Sequence, residues 1–143
     1  MKILADTCAW SLLFRRKDKN TFSSNERQMV TSLIEAIQGG RVTIIGPIRQ
    51  EVLSGIKDRA QFEKLRSALQ AFPDEPVETV HYEEAARLYN LCRSRGVECG
   101  STDMLLCAVA AQNRWSILTS DGGLKRCIEV LRAEGVFGET PKR

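Results

Sequence analysis

Residues 100–124 read GSTDMLLCAVAAQNRWSILTSDGGL. Ser101 and Thr102 are favoured helix N-caps. From Met104 to Ala111 nearly every side chain is apolar, which predicts a helix buried almost all round. One acid, Asp103, enters in its first turn. The run Trp115–Leu118 then predicts a short strand, and a second acid, Asp121, follows at its carboxyl end. Ligands of open α/β sheets bind beyond the carboxyl ends of the strands. Where the other acids of the chain fall therefore decides what this stretch is for.

Working back to the start, Lys2–Ala5 reads as a buried first strand ending at Asp6 and Thr7. Cys8–Phe14 continues as a short helix that Asp6 or Thr7 can cap. Ser23, Ser24 and Asn25 open a second helix, with a 3.6-residue stripe of Met29, Val30, Leu33, Ile34 and Ile37. It stops at Gly39-Gly40. Val42–Ile45 is a second strand, and Pro47 suits the first position of the helix after it. That helix turns Ile48, Val52 and Ile56 inward. Glu51 lies beside the stripe, where a carboxylate needs a partner.

Asp58 caps a further helix with Phe62, Leu65, Leu69 and Phe72 on its inner face, stopped by Pro73. Pro76–Val80 is expected as a third strand. A helix from His81 to Arg95 buries Ala85, Leu88, Tyr89 and Cys92. The last helix runs from Gly122 to Arg132, and Gly135–Phe137 is expected as a small edge strand. Short β-rich runs alternating with longer helices predict a three-layer α/β/α sandwich with a short, mostly parallel sheet. Residues 1–137 are expected to form a single domain and residues 138–143 a disordered tail.

The 143 residues suffice for one core, with 43% hydrophobic and 27% charged residues. No apolar run approaches the roughly 20 residues of a membrane helix, and Met-Lys-Ile-Leu-Ala is too short for a signal-peptide core. No membrane association and a cytoplasmic location are expected. The net charge of +3, from 21 basic and 18 acidic residues, permits nucleic-acid binding without arguing for it. The five cysteines (Cys8, Cys92, Cys99, Cys107 and Cys127) form no Cys-x-x-Cys pair, and all are expected to be reduced and structural. With His81 as the one histidine, a catalytic triad or multi-histidine metal site is hard to build. His81 itself is expected to be solvated near a helix start.

Taken singly, the acids have plain structural explanations. Asp6 and Asp121 can be helix caps, Asp103 complements a helix dipole, and Glu51 can sit at a solvated rim. Taken together, Asp6 and Asp121 share one edge of a parallel sheet, and Glu51 and Asp103 can reach the same edge. Four carboxylates in one pocket repel one another unless a cation neutralises them. Mg²⁺ or Mn²⁺ suits an all-oxygen ligand set and is typically shared with substrate phosphates. Such a site would serve in-line displacement at phosphorus.

The chain here resembles the PIN-domain family, and within it the VapC-type toxins of bacterial toxin–antitoxin pairs. The matching elements are Ile3-Leu4-Ala5-Asp6-Thr7, the Glu of Pro47-Ile48-Arg49-Gln50-Glu51-Val52, Thr102-Asp103-Met104-Leu105-Leu106-Cys107-Ala108, and Leu118-Thr119-Ser120-Asp121. They cover nearly the whole chain in order. The resemblance implies a Mg²⁺- or Mn²⁺-dependent endoribonuclease with Asp6, Glu51, Asp103 and Asp121 as catalytic and metal-binding residues. It further implies cleavage by a metal-activated water, leaving a 3′-hydroxyl and a 5′-phosphate. Thr7 and Thr119 become polar supports of the acids. A small antitoxin and a second copy of the chain, in a homodimer, become the expected partners. The sequence departs from the family at Gly123 and Leu124, where many members carry a further Asp followed by Phe.

Arg15, Arg16, Lys17 and Lys19 form a basic knot after the first helix, placed to hold RNA phosphates or simply to be solvated. Lys125 and Arg126 stand at the same rim but read more simply as an exposed helix face. Trp10, Leu13 and Phe14 exceed what a short surface helix needs and are expected to line a groove for an antitoxin segment or a second copy. Trp115 reads as core. A non-catalytic RNA- or protein-binding module of the same fold is the alternative. A phospho-acceptor receiver domain ranks last, because neither Ile45-Gly46-Pro47 nor Val77–Val80 supplies the acceptor Asp that reading needs.

Overall fold

The computed structural model describes residues 1–15 and 19–138. Its described elements run β1 (Ile3–Ala5), α1 (Thr7–Phe14), α2 (Ser24–Gln38), β2 (Val42–Thr43), α3 (Gly46–Leu53), α4 (Arg59–Leu69), α5 (Thr79–Ser94), α6 (Ser101–Asn113), β3 (Ser116–Leu118) and α7 (Gly122–Ala133), with a single 3₁₀ turn at Lys19–Thr21. The three strands form one parallel sheet in the order β2-β1-β3, and the architecture is a three-layer α/β/α sandwich.

The first strand of the chain is thus the central one. Ile3 pairs with Val42 on one side and Ser116 on the other, and Ala5 pairs with Leu118. A central parallel strand is covered on both faces, and Leu4 and Ala5 have no exposure. The amide of Asp6 extends the ladder by donating to the Leu118 carbonyl at 2.9 Å. The register therefore sets Asp6 beside the residues that follow β3.

Helix α6 is the internal mount. Met104 to Ala110 are seven consecutive buried residues. Its cap differs from expectation: Gly100, not Ser101 or Thr102, is the N-cap, with no side-chain bond. The last turn ends at Arg114, which takes the left-handed conformation (φ 57°). The amide of Trp115 then donates back to the Ala110 carbonyl and aims the chain into β3. Asp6, Asp58 and Asp121 each cap the helix that follows, as their positions predict. Ser23 and Glu26 form a reciprocal capping box at α2.

Several expectations need correction. Pro76–Val80 is not a strand. An isolated parallel bridge between Ile44 and Asp74 is what remains of pairing there. Thr79 already belongs to α5, whose start is fixed by the Glu78 amide donating to His81 Nδ1 at 2.9 Å. His81 is thus a helix-start residue with a defined bond rather than a freely solvated one. Gly135–Phe137 is a turn following α7, because the Val136 amide closes back on the Leu131 carbonyl. Residues 139–143 of the expected tail lie outside the described residues.

Trp10 is also corrected. It has no exposure, stacks on Phe14 (centroids 6.0 Å, interplanar angle 6°) and meets Phe72 from beyond α4 at 4.9 Å. Leu13 and Phe14 are half-buried against the same core. The excess of aromatic surface on α1 is consumed within the chain, so Trp10 is not part of a partner groove. Arg49 closes this corner, donating to Asp74 Oδ1 at 2.8 Å, to the Leu69 carbonyl at 3.0 Å and to the Phe72 carbonyl.

The cysteines are not all reduced. Cys99 and Cys127 are joined by a disulfide, with Cα atoms 6.5 Å apart. A spacing of 28 residues carries no sign of this bond; folding brings the segment before α6 against α7. Cys8, Cys92 and Cys107 are free. Burial pushes the Cys107 thiol well above its ordinary range, in keeping with its role as a small core residue.

Candidate active site

Asp6 is the pivot of the site. It is buried (6% exposed), and each carboxylate oxygen has a donor. The Thr7 amide donates to Oδ1 at 2.8 Å, and Thr119 Oγ1 donates to Oδ2 at 2.9 Å. Buried carboxylates persist only when bonded or paired. Thr119 Oγ1 also accepts from the Asp121 amide at 3.0 Å, so one hydroxyl links the ends of β1 and β3. Asp121 then turns its own Oδ2 to the Leu124 amide at 2.9 Å and starts α7. Its cap role and its place at the sheet edge are compatible, because a carboxylate accepts several bonds.

Glu51 is more exposed than its place beside the Ile48–Val52 stripe suggests. The partner its position calls for is Thr7, whose Oγ1 donates to Oε1 at 3.2 Å. Thr7 thereby joins α1 to α3. Asp103 stands half-buried in the first turn of α6, and its carboxylate accepts no hydrogen bond from the described residues. Its pKa is pushed up to about 6, first by burial and then by the charges of Asp6, Asp121 and Glu51. The other three sequence-selected acids thus each act electrostatically on Asp103. No three of them bring carboxylate oxygens all within 4.8 Å of one another.

The four side chains are all oxygen donors, the kind a hard divalent cation takes. Mg²⁺ keeps several waters and takes one or two carboxylates directly, so it does not require three of these acids within ligand distance of one another. A positive charge would relieve the repulsion that Asp6, Asp121 and Glu51 exert on Asp103.

Of the basic knot, Arg15 is half-buried and lines a cavity of about 460 Å³ with Cys8, Ser11, Leu12, Glu26 and Ser120. Arg16, Lys17 and the side chain of Lys19 lie outside the described residues. A second cavity, of about 420 Å³, opens between α5 and α6, with Tyr82, Ala85, Tyr89, Thr102 and Leu105 among its walls. Tyr82 is 55% exposed, so this face, unlike Trp10, presents apolar surface to solvent.

Two residues are more involved than their sequence positions suggest. Cys8 lies against the site: its Sγ is 3.6 Å from Asp6 Oδ2 and 3.5 Å from Thr119 Oγ1, and it accepts from the Ser120 amide at 3.4 Å. The signal was its position two residues after Asp6, on the first turn of α1. Arg126 folds back over the first turn of α7. A Cβ at Gly122 or Gly123 would meet its guanidinium at 3.7 and 3.9 Å. A guanidinium therefore borders Gly123, one of the positions where the sequence departs from the motif it resembles.

Among the described residues, no helix is long and apolar enough to cross a membrane. No curated protein sequence matches the chain. Among solved structures, the crystal structure of FitAcB from Neisseria gonorrhoeae shares the fold with a TM-score of 0.69 and 18% identity, covering 89% of this chain and 93% of that one. The PIN-domain profile matches residues 3–129. The chain therefore belongs to the PIN-domain family, whose members are generally divalent-metal-dependent nucleases.

Proposed function

We propose that this PIN domain is an endoribonuclease of the VapC toxin type, acting in the cytoplasm with Mg²⁺ or Mn²⁺ and held in check by a small antitoxin. The observation that supports this reading most is the state of Asp103. Its carboxyl is half-buried, lacks a hydrogen bond from the described residues, and is driven up to about 6 by burial and by Asp6, Asp121 and Glu51. Buried groups with such perturbed titration cluster at functional sites.

On this reading Asp6, Glu51, Asp103 and Asp121 hold the cation, which when bound supplies positive charge to the scissile phosphate and acidifies an attacking water. The chain's own contribution is position. Thr119 fixes Asp6 and the Asp121 backbone with one hydroxyl, and Thr7 fixes Glu51. Arg15, with Arg16, Lys17 and Lys19, offers positive charge for RNA phosphates. The antitoxin and a homodimer are proposed on the motif resemblance.

The test is cleavage of RNA by the purified chain in Mg²⁺ or Mn²⁺. Asp6→Asn and Asp103→Asn are expected to fold, to melt cooperatively and to lose cleavage. Full cleavage in excess EDTA, or by the Asp6→Asn protein, would overturn the proposal. RNA binding without cleavage in any divalent metal would favour a non-catalytic module instead.

A further inference from the structure

Away from the acidic mouth the fold gathers three sulfurs. Cys92 lies near the end of α5, Cys99 in the segment entering α6, and Cys127 within α7. Their Sγ atoms all lie within 4.8 Å of one another. Cys99 and Cys127 are bonded, and Cys92 keeps its thiol. Cys92 and Cys127 have no exposure, whereas Cys99 is half-buried. Of the two bonded cysteines, Cys99 is therefore the one an external thiol can approach. A free thiol packed against a disulfide can exchange with it by attack of its thiolate on a disulfide sulfur, at a rate that falls as burial raises the Cys92 thiol.

We propose that Cys92, Cys99 and Cys127 form a thiol–disulfide exchange site, with Cys99 attacked by a small external thiol and Cys92 resolving the adduct. In the first step the external thiolate bonds to Cys99 Sγ. The Cys99–Cys127 bond breaks, and its electron pair leaves on Cys127 Sγ, which takes up a proton. In the second step Cys92 gives up its proton and its Sγ bonds to Cys99 Sγ. The external thiol departs with the electron pair of the mixed disulfide. Nothing is oxidised or reduced overall: the disulfide moves from Cys99–Cys127 to Cys92–Cys99, and the external thiol is regenerated.

The exchange changes what the entry to α6 is tied to. In one form Cys99 anchors it to α7, the helix that Asp121 caps; in the other it is anchored to α5. Cys99 stands four residues before Asp103, and Cys127 six residues after Asp121. The tether that moves therefore joins the approaches to two of the four acids.

The full-length oxidised protein, incubated anaerobically with sub-stoichiometric glutathione, then acid-quenched, denatured, alkylated and mapped by peptide mass spectrometry, tests this. The expected map contains both Cys99–Cys127 and Cys92–Cys99 peptides, with Cys127 newly alkylated. The Cys92→Ser protein is expected to stop at a glutathione adduct on Cys99 and to form no new internal disulfide. Because Cys92 is buried and its serine variant can fail to fold, the wild-type map decides by itself. An unchanged Cys99–Cys127 bond, or release of Cys127 without any Cys92–Cys99 peptide, would overturn the proposal.

Discussion

Thr119 Oγ1 donates to Asp6 Oδ2 at 2.9 Å while accepting from the Asp121 amide at 3.0 Å. A single hydroxyl thus holds a buried carboxylate at the end of the central strand and the backbone at the end of its neighbour. Thr119→Val keeps the shape and removes both bonds. Leaving a buried carboxylate oxygen short of a donor is expected to lower the unfolding free energy by about 1–3 kcal/mol. Thr119→Ser is expected to recover most of that loss. Urea denaturation in EDTA measures both. A valine variant as stable as the parent would show that the bond contributes nothing.

Asp103 gives the metal-free protein a pH dependence of definite sign. Its folded-state pKa, about 6, lies above the ordinary 3.8. The folded state therefore binds this proton more tightly than the unfolded state does. The resulting stabilisation is complete below the unfolded value and is lost as pH rises through about 6. In EDTA, the melting temperature of Asp103→Asn relative to the parent is expected to be higher at pH 7.5 than at pH 4. An advantage that grows toward low pH would contradict this assignment.

Reduction of the Cys99–Cys127 bond frees a loop of 28 residues. Chain-entropy reasoning assigns such a closure about 3–4 kcal/mol, equivalent to roughly 10 °C in a domain of this size. Excess dithiothreitol is expected to lower the melting temperature by about that amount, with thiol titration confirming complete reduction. An unchanged transition in the fully reduced protein would mean that the bond constrains nothing the unfolded chain would otherwise explore.

Trp10 packs between Phe14 and Phe72 with no exposure. Trp10→Ala is expected to cost about 3–5 kcal/mol, read by chemical denaturation. A residue reserved for a partner would behave differently, losing partner binding with little change in the isolated chain.

The parts that could be read from sequence are those whose physics is local. Ile3–Ala5 ends at its acid in a way that announces a buried parallel strand, and the apolar run from Met104 announces the buried helix. Asp6, Asp103 and Asp121 could be selected because each sits where a strand ends or a helix begins, and Glu51 because it adjoins the apolar stripe of its helix. What could not be read depends on contacts between distant segments. Val77, Thr79 and Val80 have strand-like side chains, yet Glu78 and His81 close a helix start across them. Trp10 suggested a groove because Phe72, its cover, arrives from the far end of α4. The pairing of Cys99 with Cys127, and the approach of Cys8 to Asp6, exist only once the chain is folded.

The strand order also governs when the proposed site comes into being during synthesis. Asp6 leaves the ribosome before the other three acids, but its strand is central and its neighbour β3 ends at Leu118. Thr119 and Asp121, which complete the edge, follow later still. A growing chain that already carries Asp6, Glu51 and Asp103 cannot yet assemble the four acids. An enzyme of this topology that attacks RNA would stay inert beside the messenger that encodes it until nearly the whole domain has been translated.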